Sequence, residues 1–85
     1  MSDETIAKAE HAKRLMSDPL LVEVLDAIEE RAINAWASTA IEDHEHREMA
    51  YYALKASRRV RDTLQGVIDN GLVAAARAVR PAGAG

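Results

Sequence analysis

Apolar residues recur along this chain in two rows with helical spacing. The first row consists of Leu21, Leu25, Ile28, Ala32 and Ala35. Its alternating steps of four and three residues predict an amphipathic helix with a seam of the coiled-coil type. Asp18-Pro19 precedes the row, and such a pair favours a helix start, because aspartate caps well and proline is tolerated at the first helical position. A helix is therefore predicted over about 19–37.

The second row of apolar residues lies in the other half of the chain. It consists of Met49, Ala53, Ala56, Val60, Thr63 and Val67. Thr39 followed by Glu42 matches a capping box, and Asp43 is an alternative start for the helix. Asn70-Gly71 is a strong C-terminal signal, because glycine commonly ends helices. These positions predict a helix over about 40–70.

The segments outside these two helices are shorter and less apolar. Residues 2–16 predict a short N-terminal helix, which has too few apolar side chains to hold a fold alone. One further short helix is a candidate over 72–80, and Pro81 should end it. We expect a single helical domain over 1–80 and a disordered tail over 81–85.

Two long helices joined by a short turn normally lie antiparallel. The predicted fold is therefore an all-α antiparallel helical hairpin with a short N-terminal helix. The numbers of two residues that face each other across the hairpin should sum to about 82, which places Glu23 near Arg59. Val22, Ile33 and Tyr52 lie outside the seam and need cover from the N-terminal helix or from a second subunit. Because 85 residues bury only a small core, we expect a homo-oligomer.

Composition narrows the classes of function. The chain has no cysteine, which excludes disulfides and thiolate metal sites, and its formal charge of −3 gives no general attraction to nucleic acid or anionic membrane. No apolar run reaches the length of a membrane span, and the charged N-terminus is unlike a secretory signal. We expect a cytoplasmic protein without a membrane partner.

Charge is unevenly distributed between the two long helices. Residues 17–46 carry a net charge of −7, and residues 47–62 carry +3. The acidic candidates for a partner surface are Glu23, Asp26, Glu29 and Glu30. The candidates for binding phosphate or a partner are Tyr51, Lys55, Arg58, Arg59 and Arg61. The arginines either pair with the acidic helix or bind the phosphates of a nucleic acid or nucleotide, and pairing is the commoner case.

The stretch IEDHEHREMAYY resembles a metal site only at first sight. His44 and His46 lie on opposite sides of a helix, so they cannot ligate one ion together. Acidic residues are favoured in a first helical turn by the helix dipole alone. We therefore expect no metal site, and no cofactor is implied.

The chain also lacks an activated nucleophile and a glycine-rich phosphate loop, so we expect no enzymatic activity. Trp36 should cap the core near the turn and face Arg47.

Three stretches together resemble small helical-hairpin proteins of tailed phages and prophages, which are often encoded near head and DNA-packaging genes. They are DPLLVEVLDAIEERAINAWAST, EDHEHREMAYYALKASRRVRDTL and DNG, within residues 18–71. The resemblance implies a non-enzymatic, oligomeric packaging or virion accessory that acts by binding in the host-cell cytoplasm. Two alternatives are an anti-defence inhibitor that binds a host immune protein and a nucleotide-sequestering hairpin.

Overall fold

The computed structural model describes residues 2–78, which form three α-helices. They are α1 (Ser2–Met16), α2 (Pro19–Ser38) and α3 (His44–Ala78). The all-α prediction and the short N-terminal helix are confirmed. The tail predicted over 81–85, and the last two residues of the helix predicted over 72–80, lie outside the described residues.

The break between α1 and α2 is built as the sequence predicts. The carboxylate of Asp18 accepts hydrogen bonds from the backbone N–H groups of Leu20 (2.8 Å) and Leu21 (3.2 Å). Pro19 occupies the first turn, where its missing N–H costs no hydrogen bond. Asp18 itself has an extended backbone, with ψ of 119°. Helix α2 therefore begins with a conventional N-cap.

The turn between α2 and α3 shows which of the two predicted N-cap residues begins α3. Thr39 is the C-cap of α2, and its hydroxyl donates to the backbone carbonyl of Ala35. The capping box of Thr39 with Glu42 is therefore wrong. Asp43 takes that role instead, because its carboxylate accepts a hydrogen bond from the backbone N–H of His46 (3.3 Å). Helix α3 accordingly begins at His44, a few residues later than predicted.

Helix α3 is longer than predicted. It runs through Asn70-Gly71 without interruption and ends at Ala78. The predicted stop is wrong because Gly71 has no left-handed backbone conformation here; no glycine in the described range has positive φ. Instead Gly71 is buried against Ala9 of α1. Because Gly71 has no side chain, the two helices can approach closely at this point. A glycine in the sequence can serve either such a contact or a helix end, and the sequence alone does not distinguish the two.

Helices α1 and α2 follow one another along α3, and both run antiparallel to it. Helix α1 packs on the C-terminal half of α3 and scarcely touches α2, which packs on the N-terminal half. The N-terminal helix therefore lengthens the hairpin and leaves the exposed side chains of Ile33 and Tyr52 uncovered. The protein measures 65 × 26 × 16 Å. The smallest extent is little more than the diameter of one helix, about 10–12 Å, so the molecule is a single layer of paired helices.

The core of this layer is small and consists mainly of small side chains. The buried side chains are Ala9, Ala12, Leu25, Ala32, Ala50, Ser57 and Ile68. On α3, the buried and half-buried positions from Ala50 to Gly71 again follow steps of three and four, apart from Gly66 and Val67, which are also half-buried. This row lies one residue away from the predicted row, whose Met49 and Val60 are exposed. The predicted seam of α3 is therefore wrong, while Leu25 and Ala32 of α2 face α3 as expected.

Candidate binding surface

The basic cluster of α3 is divided between two faces of the helix. The Arg61 guanidinium lies 2.6 Å from a carboxylate oxygen of Asp26, and Arg58 Nε lies 3.2 Å from one of Glu29. Arg61 Nε is also 3.9 Å from Glu29 and has no hydrogen bond of its own. Arg59 has no ion pair within residues 2–78. Two of the three arginines thus join α3 to α2, and the third faces away.

The ion pairs lie one helical turn away from the predicted register. Facing positions near the turn, such as Trp36 and Arg47, sum to about 82 as expected. The pairs Asp26–Arg61 and Glu29–Arg58 sum to 87. The physical reason is that helical side chains lean toward the N-terminus, so each arginine reaches back one turn along α3.

The predicted acidic partner surface is reduced by the same pairs. Asp26 and Glu29 are engaged by arginines, although Asp26 is still largely exposed. Glu23 and Glu30 are exposed and have no ion pair in the described part of the chain. Glu23 therefore does not pair with Arg59, contrary to the predicted register. Exposed pairs of this kind contribute only about 0–1 kcal/mol each, so they fix the register of the helices more than their stability.

The outer face of α3 carries aromatic and basic side chains together. Lys55 Nζ lies 5.8 Å from the centre of the Tyr51 ring, which is within cation–π range. The rings of Tyr51 and Tyr52 are 6.0 Å apart and tilted by 57°. Tyr51, Tyr52, Lys55, Arg58 and Arg59 line one shallow depression. The hydroxyl of Tyr52 donates to Glu48 (3.0 Å), and that hydrogen bond, with the carboxylate charge, raises the pKa of Tyr52.

The histidine-rich stretch serves the start of α3. Nδ1 of His46 lies 2.7 Å from the Asp43 carboxylate. This hydrogen bond, with that from the backbone N–H of His46, lowers the pKa of Asp43. Within residues 2–78 no three His, Asp or Glu side chains lie close enough to hold a metal ion. The guanidinium of Arg47 lies 4.4 Å above the Trp36 ring, so Trp36 faces Arg47 as predicted, although about half of its surface stays exposed.

One side of the α2–α3 hairpin is apolar along its length. Ile28 and Ala35 of α2 line a groove with Met49 and Ala53 of α3. Helical spacing extends the same side to neighbouring turns. We call this surface the apolar face; its residues are Val24, Ile28, Ala35, Met49, Ala53, Ala56 and Val60, of which Ala56 also lines the depression with Arg58 and Arg59. Its α3 members are the row that the sequence assigned to α2. The sequence therefore identified this apolar row of α3, but the prediction that α2 packs on it was wrong.

No protein family, curated protein or solved structure matches this chain. None of the described helices is both long enough and apolar enough to cross a bilayer.

Proposed function

We propose that this chain is a non-enzymatic helical protein that works as a homo-oligomer and acts by binding, as a packaging or virion accessory of the phage type. The resemblance of residues 18–71 to phage hairpin proteins supports the phage setting. The amount of exposed surface is the observation that supports the homo-oligomer.

The chain exposes 6625 Å². A compact monomer of 9.3 kDa exposes about 5,000 Å², so the excess is about 1,600 Å². A standard protein interface covers only about 800 Å² on each partner. The excess is about twice that area, so the exposed surface is sufficient for one interface between two copies. Only two large side chains, Leu25 and Ile68, are buried in the described range, so association should also complete the core.

Native mass spectrometry and sedimentation of the purified chain test this proposal. We expect a defined multiple of 9.3 kDa that persists at micromolar concentration. Because a second subunit completes the core, the midpoint of thermal unfolding should rise with protein concentration. A folded monomer of 9.3 kDa at all concentrations would contradict the proposal, and it would favour a small inhibitor that binds a single host target.

A second candidate function is the binding of a phosphate-bearing ligand. The observation in its favour is that Lys55 and Arg59 have no carboxylate partner in the described part of the chain and lie beside Tyr51. Single-stranded nucleic acids are bound by this combination of cations and a stacking ring. Asp62 lines the same depression, and its negative charge opposes the binding of a phosphate there.

For this second function, we expect a short single-stranded DNA, or a cyclic dinucleotide, to bind measurably at about 50 mM salt and to dissociate as salt rises. Arg59→Gln should weaken binding about tenfold. Arg77→Gln, which removes the same charge from the last turn of α3, is the matched control and should bind like the wild type. Fluorescence anisotropy and titration calorimetry measure both. The absence of any binding by the wild type at low salt would eliminate this candidate.

A further inference from the structure

We infer that the apolar face is the surface on which a second copy of this chain packs, so that two α2–α3 hairpins form a four-helix bundle. This inference rests on the proposed homo-oligomer and identifies the interface within it.

The apolar face differs in charge from the opposite side of the hairpin. The opposite side holds the ion pairs of Asp26 with Arg61 and of Glu29 with Arg58. Along the groove of the apolar face, Arg31 is the only Lys, Arg, Asp or Glu besides Asp43, which is paired with His46 at the turn. The central parts of protein interfaces are depleted of charge and enriched in methionine and aromatic residues. Met49, which is 61% exposed, lines this groove.

The spacing of the apolar face suits a neighbouring helix. Met49, Ala53, Ala56 and Val60 repeat the four-three steps of a helix seam. Helix α3 thus has two adjacent seams, one occupied by α2 and one open. A helix in a four-helix bundle has neighbours on two sides in this way. Ala35, Ala53 and Ala56 are small enough for a partner helix to approach at the usual interaxial distance of about 8–10 Å.

A second copy is the occupant that the area and the core favour. The chain buries few large side chains alone, so the partner must be present when the chain folds. Its own copy is always present then. The excess surface of about 1,600 Å² per chain is about twice the roughly 800 Å² that each partner covers in a standard interface, so the chain has enough surface to pack on a second copy. Helix α1 is already packed on the distal half of α3, so no described helix of the same chain is left to cover the face. A two-fold axis would place the apolar face of one copy against the same face of the other.

Two isoleucines of α2 provide a matched test. Ile28 lies on the apolar face and is 41% exposed; Ile33 lies outside it and is 45% exposed. We expect Ile28→Lys to raise the dissociation constant of the oligomer at least about thirtyfold, because a charge would enter the centre of an interface. Ile33→Lys should leave it within about twofold of the wild type. Analytical ultracentrifugation over a concentration series measures both, and circular dichroism reports whether each variant is helical.

Cysteine cross-linking remains informative if Ile28→Lys fails to fold. The chain has no native cysteine, so single-cysteine variants are unambiguous. Under mild oxidation, Ala53→Cys on the apolar face should give a covalent dimer, and the exposed Ala37→Cys outside that face should not. Cross-linking only through Ala37→Cys, or dissociation only by Ile33→Lys, would overturn the inference and leave the homo-oligomer intact. A monomeric wild type would instead refute the proposed function itself.

Discussion

Gly71→Ala should destabilise the protein by about 1–3 kcal/mol, although alanine is the better helix former by about 1 kcal/mol. A Cβ built on Gly71 overlaps the Cβ of Ala9 and also reaches the backbone carbonyl of Thr5. The Cβ position of alanine is fixed by the backbone and cannot rotate out of the way, so α1 and α3 must separate. Urea unfolding followed by circular dichroism should show the loss. Amide exchange should show that the protection of α1 falls more than that of α2.

Gly66→Ala is the matched control for this prediction. Gly66 lies in the same helix, and a Cβ built there meets nothing within 4 Å. The substitution should therefore stabilise the protein by about 0.5–1 kcal/mol. The double variant Ala9→Gly with Gly71→Ala should recover most of the loss, because it moves the missing methyl group to the other helix. Equal stabilisation by Gly66→Ala and Gly71→Ala would show that α1 does not pack on α3 at this point.

Leu25→Ala should cost about 2–3 kcal/mol, a large part of the stability of so small a domain. Leu25 is 7% exposed and is one of the two large side chains buried in the described range. The other buried residues of this interface, Ala32, Ala50 and Ser57, are small, so little side-chain volume is available to fill the space. The melting temperature should fall by about 10–20 °C, since 1 kcal/mol corresponds to about 4–8 °C at this size. Differential scanning calorimetry at a fixed protein concentration measures the change.

Leu72→Ala removes the same atoms from an exposed site and serves as the control. Leu72 is 56% exposed and lies outside the apolar face. The change should stay within about 0.5 kcal/mol, as is usual for surface positions. If both leucine variants lost similar stability, Leu25 would not be a core residue, and the packing of α2 on α3 described here would be wrong.

Local signals in the sequence determined the start of α2 and the existence of the helices. Asp18-Pro19 predicted the break between α1 and α2, because capping and the restrictions of proline act within a few residues. Repeated apolar spacing predicted the amphipathic helices, and the short turn between them predicted their antiparallel pairing. The sequence also predicted part of the candidate binding surface. Arg58 and Arg61 do pair with the acidic helix, which was one of the two alternatives that the sequence left open.

The same local signals failed wherever a feature had two structural uses. Asn70-Gly71 predicted a helix end, yet Gly71 serves a close contact with Ala9, a residue 62 positions earlier in the chain. The row from Met49 to Val67 was the more apolar seam of α3, yet α2 packs on the row beside it. That row contains Ser57, whose hydroxyl donates to the backbone carbonyl of Leu54 in the same helix, and Arg61, whose guanidinium pairs with Asp26 of α2.

The sequence by itself therefore determined that the chain is helical, where its first two helices meet and that its charges are segregated, since these depend on neighbours within a turn or two. Only the tertiary structure decided that α1 extends the hairpin rather than covering it, that Arg58 and Arg61 pair with α2 whereas Arg59 has no ion pair within residues 2–78, and that the most regular apolar row faces outward. The physical reason is that a helix presents several faces at once. Which face is buried depends on contacts between residues distant in sequence, and no local pattern specifies them.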